Sequence, residues 1–470
     1  MSLLLSRGRI LVVVVSVFLI TLVVNTAVAQ TVVVSPEYIW LSLPKAPGQV
    51  YNVSYTTSPM KVIIDSNLPI PDDHGSRPIK DVALKDIRHV EVTNGWRMVL
   101  DFNYQIPLGQ VWEDEEVFRL EIPKTFANTS RRLVDQGIFY GHQRRADVFG
   151  PNVVNYLEID LWYGFDVKLA LAQDRLFGSE QVSGMAQRTG AIAAVNGAFF
   201  AGTGRPLGLF MIDGQLMSEP YANRTALGLG PRLAVMDRVD FEGTLFLADG
   251  ALLTTIQGLN RPRLQDELVV YTSHHGTKTN TNAWGLEVVI LDGVVTEIHT
   301  GNSTIPPEGL VLSAHGLQRE SLAGLRVGDA VEMSFALSPA WDELGVTQII
   351  GGGPRLVRDG RLQVTGEEER FRDDILVGRA PRTAIGITAD HKLLLVTVNG
   401  RQPHISVGMT LNELGNLLIE LGALQAMNLD GGGSTTMVIR NMVLNLPSDG
   451  KERPVGNAIV VVAGARPLPE

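Results

Sequence analysis

The stretch that decides the fold is Thr410-Leu-Asn-Glu-Leu-Gly-Asn-Leu-Leu-Ile-Glu-Leu-Gly-Ala-Leu-Gln-Ala-Met-Asn-Leu-Asp-Gly-Gly-Gly-Ser-Thr-Thr-Met437. Its first half reads as a helix over Thr410–Leu421. Thr410 caps it with Glu413 three residues on, Leu411, Leu414, Leu417, Leu418 and Leu421 form one apolar face, and Gly422 ends it. The second half reads as a buried strand that stops at a carboxylate, Asp430, followed by three glycines and three hydroxyls. A helix feeding directly into a buried strand is the texture of a mixed domain, and that texture runs from about Arg131. Glu180–Thr189 is a second helix, stopped by Gly190. Strands are expected at 233–239, 287–291, 330–337, 384–387, 393–398, 437–439 and 458–463. Asp292-Gly293, Asp359-Gly360 and Asn399-Gly400 read as hairpin turns. The segment 248–339, with Gly324-Leu-Arg-Val-Gly-Asp329 before a strand, reads as an inserted β subdomain.

Upstream, residues 30–126 read as a small all-β domain of short β-branched runs punctuated by proline. The fold class is therefore α+β: a strand-rich catalytic domain with a few helices at 131–466, preceded by a small β domain. Residues 1–29 carry Arg7 and Arg9, an apolar run from Ile10 to Val24 and the triplet Ala27-Val28-Ala29, the pattern of a cleaved signal peptide. The rival, a retained anchor helix, falls short of the roughly 20 apolar residues a bilayer span requires. The expectation is a bacterial protein that is secreted or held in the cell envelope, with no membrane span after cleavage.

Composition narrows the chemistry. The 470-residue chain has no cysteine, which excludes thiol nucleophiles, disulfides and zinc–thiolate sites. A net charge of −10 gives no footprint for nucleic acid. The nine histidines show no metal-ligand spacing, and His274-His275 reads as part of a solvated loop. No G-x-S-x-G, P-loop or dinucleotide fingerprint occurs.

Four clusters at strand ends remain. Asn196 ends an apolar strand before Gly197 and two aromatics that re-enter the core. Gly351-Gly-Gly-Pro-Arg355 gives ligand-accessible amides and a cation. Arg382-Thr383 opens a buried strand, where a guanidinium could grip a phosphate. In the fourth, Asn428, Asp430, Gly431, Gly432, Gly433, Ser434 and Thr435 crowd one turn, with Asp430 the best catalytic carboxylate and the glycine amides a candidate anion cradle. Arg453 and Asn457 precede the last strand. Each cluster alone is explicable as a structural turn. Together they suit an oxygen-rich anionic substrate.

These segments, AVNGAFF around Asn196, GGGPRLV (351–357), RTAIG (382–386), NLDGGGSTTM (428–437) and RPVGN (453–457), resemble the phosphodiester glycosidase family. The resemblance covers about residues 137–464 and implies a mixed α/β domain that hydrolyses a sugar-1-phosphodiester, with its site among these strand ends. Asp430 would act as base or nucleophile. Arg382 and the glycine amides would neutralise phosphate, and Asn196 and Asn428 would orient sugar hydroxyls. Arg355, Thr383, Ser434, Thr435, Arg453 and Asn457 would complete the binding surface. Two departures stand out: Ala198 where a glycine is frequent, and Asn399-Gly-Arg401 where the family often has Asp-Gly-Arg. The strand Arg97-Met-Val-Leu-Asp-Phe102 after Asn94-Gly95 resembles the AMIN-type envelope-targeting domains, which implies a cell-wall polymer as a partner of the first domain. Two other readings stay open: a phosphodiesterase that cuts the P–O bond, with a divalent cation held by Asp430, and a binding module for envelope polymers without chemistry.

Overall fold

The computed structural model describes residues 11–14, 30–68, 76–93 and 95–464. The signal-peptide expectation falls on residues outside these, apart from a four-residue strand at Leu11–Val14. No helix among the described residues is long and apolar enough to cross a membrane.

The fold is strand-rich, with several sheets and four short α-helices among the described residues. Contacts divide it into two compact units. The first comprises residues 1–130, 142–153 and 400–407. Strict alternation builds it: Tyr38–Pro44 turns Ile39, Leu41 and Leu43 inward, and Met60–Ser66 turns Val62 and Ile64 inward. Tyr38–Pro44 lies between Thr31–Val34 and Val117–Pro123, with Gln110–Glu113 at the far edge. A second sheet orders Tyr51–Thr57, Met60–Ser66, Gly95–Phe102, Leu84–Val92 and Ser76–Pro78. Ile39, Leu41, Leu120 and Ile122 of one sheet pack with Val62, Ile64, Met98 and Leu100 of the other in a single core. The strands Tyr38–Pro44 and Gln110–Glu113 were hidden in the sequence, the first by its flanking prolines and the second by being short and exposed throughout.

The second unit comprises residues 131–141, 154–399 and 408–470. Val154–Asp160, Lys392–Val398, Arg382–Thr388, Ala423–Asn428 and Arg355–Arg358 are consecutive neighbours in one sheet. A second sheet orders Phe165–Leu171, Asn457–Ala463, Ala193–Asn196 and Met437–Ile439. A third places Gln348–Gly351 between Phe210–Ile212 and Thr225–Gly230. One apolar core, including Leu395, Ile385, Met427, Val195, Ile459 and Ile350, draws on all three. The helix Leu411–Glu420 carries the expected capping box: Thr410 Oγ1 accepts from the Glu413 amide, and the Glu413 carboxylate accepts from the Thr410 amide. It buries Leu411, Leu414, Leu417 and Leu418 against the first of these sheets. The other expected helix runs over Val182–Thr189 and ends at Gly190, whose φ of 65° is the left-handed conformation glycine adopts cheaply.

Residues 240–338 form two sheets of their own, Leu252–Ile256/Asp240–Leu247/Val331–Ser338 and a five-stranded one built around Leu268–Thr272, Gly309–Ala314 and Leu286–Leu291, with Leu245, Val270, Val288 and Leu312 in a shared core. The hairpins at Asp292-Gly293 and Asp359-Gly360 are present, with positive φ at all four residues. Asn399-Gly400 is not a hairpin turn. The strand ends at Val398, and the buried Asn399 side chain accepts from the Leu446 amide at 3.2 Å. Nor is His274-His275 a solvated loop. It forms a single 3-10 turn, with His275 edge-on to Tyr271 and Phe177, and burial lowers the pKa of both imidazoles.

Candidate active site

Buried polar groups must find partners, and the strand ends nominated by the sequence find them in one another. Asn196, at the end of its strand and 1% exposed, donates from Nδ2 to the Asp430 carbonyl at 2.6 Å. Its Oδ1 accepts from Thr383 Oγ1 at 2.7 Å and from the Thr436 amide at 3.1 Å. The Asp430 amide donates to the Gly197 carbonyl, and Asn457 Oδ1 accepts from the Ala198 amide at 2.7 Å. Residues 196, 383, 430, 436 and 457 therefore sit in one knot. Asn196, Thr383 and Asn457 spend their polar atoms within it, which makes them the frame of the site rather than its contact surface.

Asp430 is the titratable group this frame presents. Desolvation pushes its carboxyl up to about 6, against the opposing pull of a hydrogen bond from Ser434, one from the Gly431 amide at 3.0 Å, and the charge of Arg453. Burial disfavours the charged form, and here it outweighs two hydrogen bonds and a nearby cation. A carboxyl that changes charge near neutral pH can take and return a proton, or attack as a carboxylate.

The neighbouring expectations need correction. Two of the three glycine amides are not open to an anion. The Gly431 amide is spent on Asp430, and the Gly432 amide donates to the Pro381 carbonyl. The glycines answer to packing instead. A Cβ on Gly431 would lie 2.8 Å from the Pro381 carbonyl oxygen, and one on Gly433 would lie 2.0 Å from Arg453 Nη2 and 2.3 Å from Asp449 Oδ2. Gly432 has a φ of 60°. Arg382, 3% exposed, does not grip a ligand either. It donates from Nε to the Met409 carbonyl, from Nη1 to Ile375 and from Nη2 to Gly378. Arg355 is likewise buried, bound to Gln425, the Met236 carbonyl and Asp237. Both arginines crosslink backbone that sequence proximity does not reveal. Asn428 donates to the Gly353 and Leu429 carbonyls. Its Oδ1 and the hydroxyls of Thr435 and Thr436 are buried without a hydrogen-bond partner among the described residues.

Arg453 is the cation left at the turn. Its Nε and Nη2 donate to Asp449 Oδ2 at 2.9 and 2.6 Å, and its side chain is 43% exposed. Among the described residues no group of three or more His, Asp or Glu side chains is placed to hold a metal ion. The charged oxygens at the turn are Asp430 and the Asp449 already paired with Arg453.

The sequence missed an aromatic wall. Phe199 does not re-enter the core but lies half-buried, 5.5 Å from Phe371. Arg224 stacks on Phe371 at 3.7 Å and on Tyr221 at 4.8 Å while donating to the Glu369 and Arg370 carbonyls. The wall adjoins the turn: Phe199 is two residues from the Gly197 that binds Asp430, and a Cβ on Gly353, whose amide donates to Asn428, would lie 3.0 Å from the Phe371 ring. Phe371 sits in the charged run Glu367-Glu-Glu-Arg-Phe-Arg-Asp-Asp374. In fact Glu369 is fully buried and accepts from Thr225 N and Oγ1, Arg355 N and Thr365 Oγ1. A lone aromatic inside that charge run was the only available signal.

Residues 285–462 match the profile of the phosphodiester glycosidase family. The chain is 31% identical over 153 residues to the N-acetylglucosamine-1-phosphodiester alpha-N-acetylglucosaminidase of Bos taurus, covering 30% of this chain and 28% of that protein. It is 28% identical over 198 residues to the SPbeta prophage-derived protein YomE of Bacillus subtilis, covering 41% of this chain and 28% of that one. The matched region thus spans less than a third of either relative. Among solved structures, a hypothetical protein from Synechocystis aligns over 93% of this chain and 82% of its own, with a TM-score of 0.65 at 20% identity. A Burkholderia pseudomallei K96243 protein whose description suggests export aligns over 76% of this chain and 98% of its own, with a TM-score of 0.62 at 22% identity. These two likenesses establish the fold.

Proposed function

Since the chain carries a phosphodiester glycosidase family domain at residues 285–462, we propose that it is an exported hydrolase that splits the bond between sugar and phosphate in a glycosyl-1-phosphodiester of the cell envelope or of exopolysaccharide. The observation that carries this reading is Asp430: a carboxyl at about 6, framed by Ser434, the Gly431 amide and Arg453. Breaking the anomeric C–O bond builds positive charge on the sugar and releases a phosphate monoester. The leaving phosphate needs little protonation, so one carboxylate suffices where ordinary glycosidases use two. Asp430, ionised, serves as base or nucleophile at the anomeric carbon. Arg453 offsets the phosphate charge, and the half-buried Phe199, backed by the buried Phe371, receives the apolar face of the sugar ring. Export is supported by the sequence of residues 1–29 and by the described likeness to the Burkholderia protein.

The test is hydrolysis of a panel of nucleotide sugars and wall-derived glycosyl-1-phosphodiesters by residues 30–470, in oxygen-labelled water and with and without chelator. Label in the sugar supports C–O cleavage. Label in the phosphate would replace this reading with P–O cleavage. Asp430→Asn should lower turnover by about 10²–10⁴, the usual loss on removing a positioned base, and undiminished activity would dismiss Asp430.

A further inference from the structure

Three loops meet at one end of the five-stranded sheet built around Leu268–Thr272, Gly309–Ala314 and Leu286–Leu291. Leu268 and Leu286 begin their strands, and both lie opposite Ala314, which ends the strand between them. The loops at 261–267, 282–285 and 315–317 therefore leave the sheet side by side, from neighbouring strands about 4.8 Å apart. Each carries one large apolar side chain that belongs to no core: Leu264 is 62% exposed, Trp284 75% and Leu317 76%.

The backbone of all three is held in place. The Leu264 amide donates to Glu267 Oε2 at 2.9 Å, the Trp284 amide to Asn282 Oδ1 at 3.1 Å and the Leu317 amide to Asp266 Oδ1 at 2.8 Å. The loops are also tied to one another. Arg263 donates from Nη2 to the Asn282 carbonyl and Oδ1, and from Nη1 to Ser313 Oγ and the Ala314 carbonyl. The His315 amide donates to the Glu267 carbonyl. Two glycines make room for these ties. A Cβ on Gly285 would lie 1.9 Å from Arg263 Nη1, and one on Gly316, whose φ is 57°, would lie 1.9 Å from Asp266 Oδ1. Loops bound this tightly present their side chains at little further entropic cost, which is the advantage of a preorganised surface.

Exposed apolar groups gathered in one place mark an interaction surface, and the surroundings narrow the partner. Glu267 is paired with Arg261 at 2.6 Å, and Arg263 and Arg319 are matched in number by Asp266 and Glu320, so this end selects neither an anion nor a cation. A stable protein interface takes about 20–30 residues a side, far more than three loop tips supply. A lipid surface asks less, because separate apolar side chains can each enter the interfacial layer, where indole is favoured. The proposed export of the chain brings such a surface within reach.

We propose that this end of the second unit is a membrane-contact site, at which Leu264, Trp284 and Leu317 enter the interfacial layer of a lipid bilayer. Apolar burial drives the contact, and charge does not. The inference is independent of the reaction assigned to Asp430.

The test is flotation of residues 30–470 with vesicles of phosphatidylcholine and phosphatidylethanolamine, so that the apolar run of residues 10–24 contributes nothing. The chain should float with the vesicles, equally at low and high salt, and lipids brominated in their acyl chains should quench its tryptophan emission. Trp284→Ala, Leu264→Ser and Leu317→Ser should each lower the partition constant by roughly 10-fold without moving the melting temperature. Trp284→Phe should keep most of the binding and lose the quenching. Trp162→Ala, which removes an exposed indole outside these loops, should bind as the parent does. Hydrolysis of a small soluble substrate should be the same in every variant, so failure of one reading leaves the other standing. Three results would overturn the proposal: no flotation of the parent, undiminished flotation of the triple variant, or flotation abolished by salt. Sedimentation showing a dimer that Trp284→Ala abolishes would overturn it in favour of self-association.

Discussion

Asp430 and Arg382 occupy neighbouring strand ends, yet opposite consequences follow from removing them. The carboxyl of Asp430 is raised from 3.8 to about 6 on folding. The stability it contributes is therefore fully present below about pH 4 and lost as pH rises through 6. Asp430→Asn should lose most of its turnover and yet be more stable than the parent at pH 8, by at most about 3 kcal/mol, with the gain vanishing near pH 4. Melting curves at the two pH values check this. With Asp430 acting ionised, kcat/KM of the parent should climb through an apparent pKa near 6. Arg382→Ala leaves three carbonyls unpaired at about 1–3 kcal/mol each, so it should lose activity by unfolding. Arg453→Ala should lose activity with its melting temperature nearly unchanged, because its ion pair is exposed. Comparing activity with melting temperature for these two variants separates frame from contact surface. Asp430 could be read from the sequence because polar residues crowd its own turn. The fate of Arg382 could not, because it is decided by the Met409 carbonyl, 27 residues away.

At the scale of elements, legibility followed locality. The helix at Leu411–Glu420 was readable to its cap because Thr410 and Glu413 settle the matter within one turn. Thr410→Ala should cost about 1 kcal/mol, measurable by denaturant titration, with no change in kinetics. The glycine turn was recognisable as special, but its reason was not. Sequence suggested bare amides, while the structure shows the Pro381 carbonyl and the Asp449–Arg453 pair occupying the space a side chain would need. Gly433→Ala should accordingly displace Arg453 and lower kcat with little effect on unfolding, since the pair it pushes lies at the surface. Short strands exposed along their whole length, Gln110–Glu113 above all, carried no periodic signal to find.

For the whole molecule, the strand-rich character, the scarcity of helices and the convergence of the quoted segments could all be read from the sequence. What could not was how distant segments share a core: Leu395, Val195 and Ile350 come from three sheets. The two units have separate apolar clusters, so calorimetry should resolve two transitions, and Asp430→Asn should shift only one of them. The amide that ties the site together has a chemical consequence of its own. Asn196 precedes Gly197, the pairing most prone to cyclise and deamidate in a flexible chain. Here its carboxamide is clamped by Asp430, Thr383 and Thr436, which denies it the approach to the following nitrogen. On prolonged alkaline storage, peptide mapping should find Asn196 intact in the native protein and converted in the denatured one. The same knot that anchors the Asp430 backbone thus shields this Asn-Gly pair from chemical ageing.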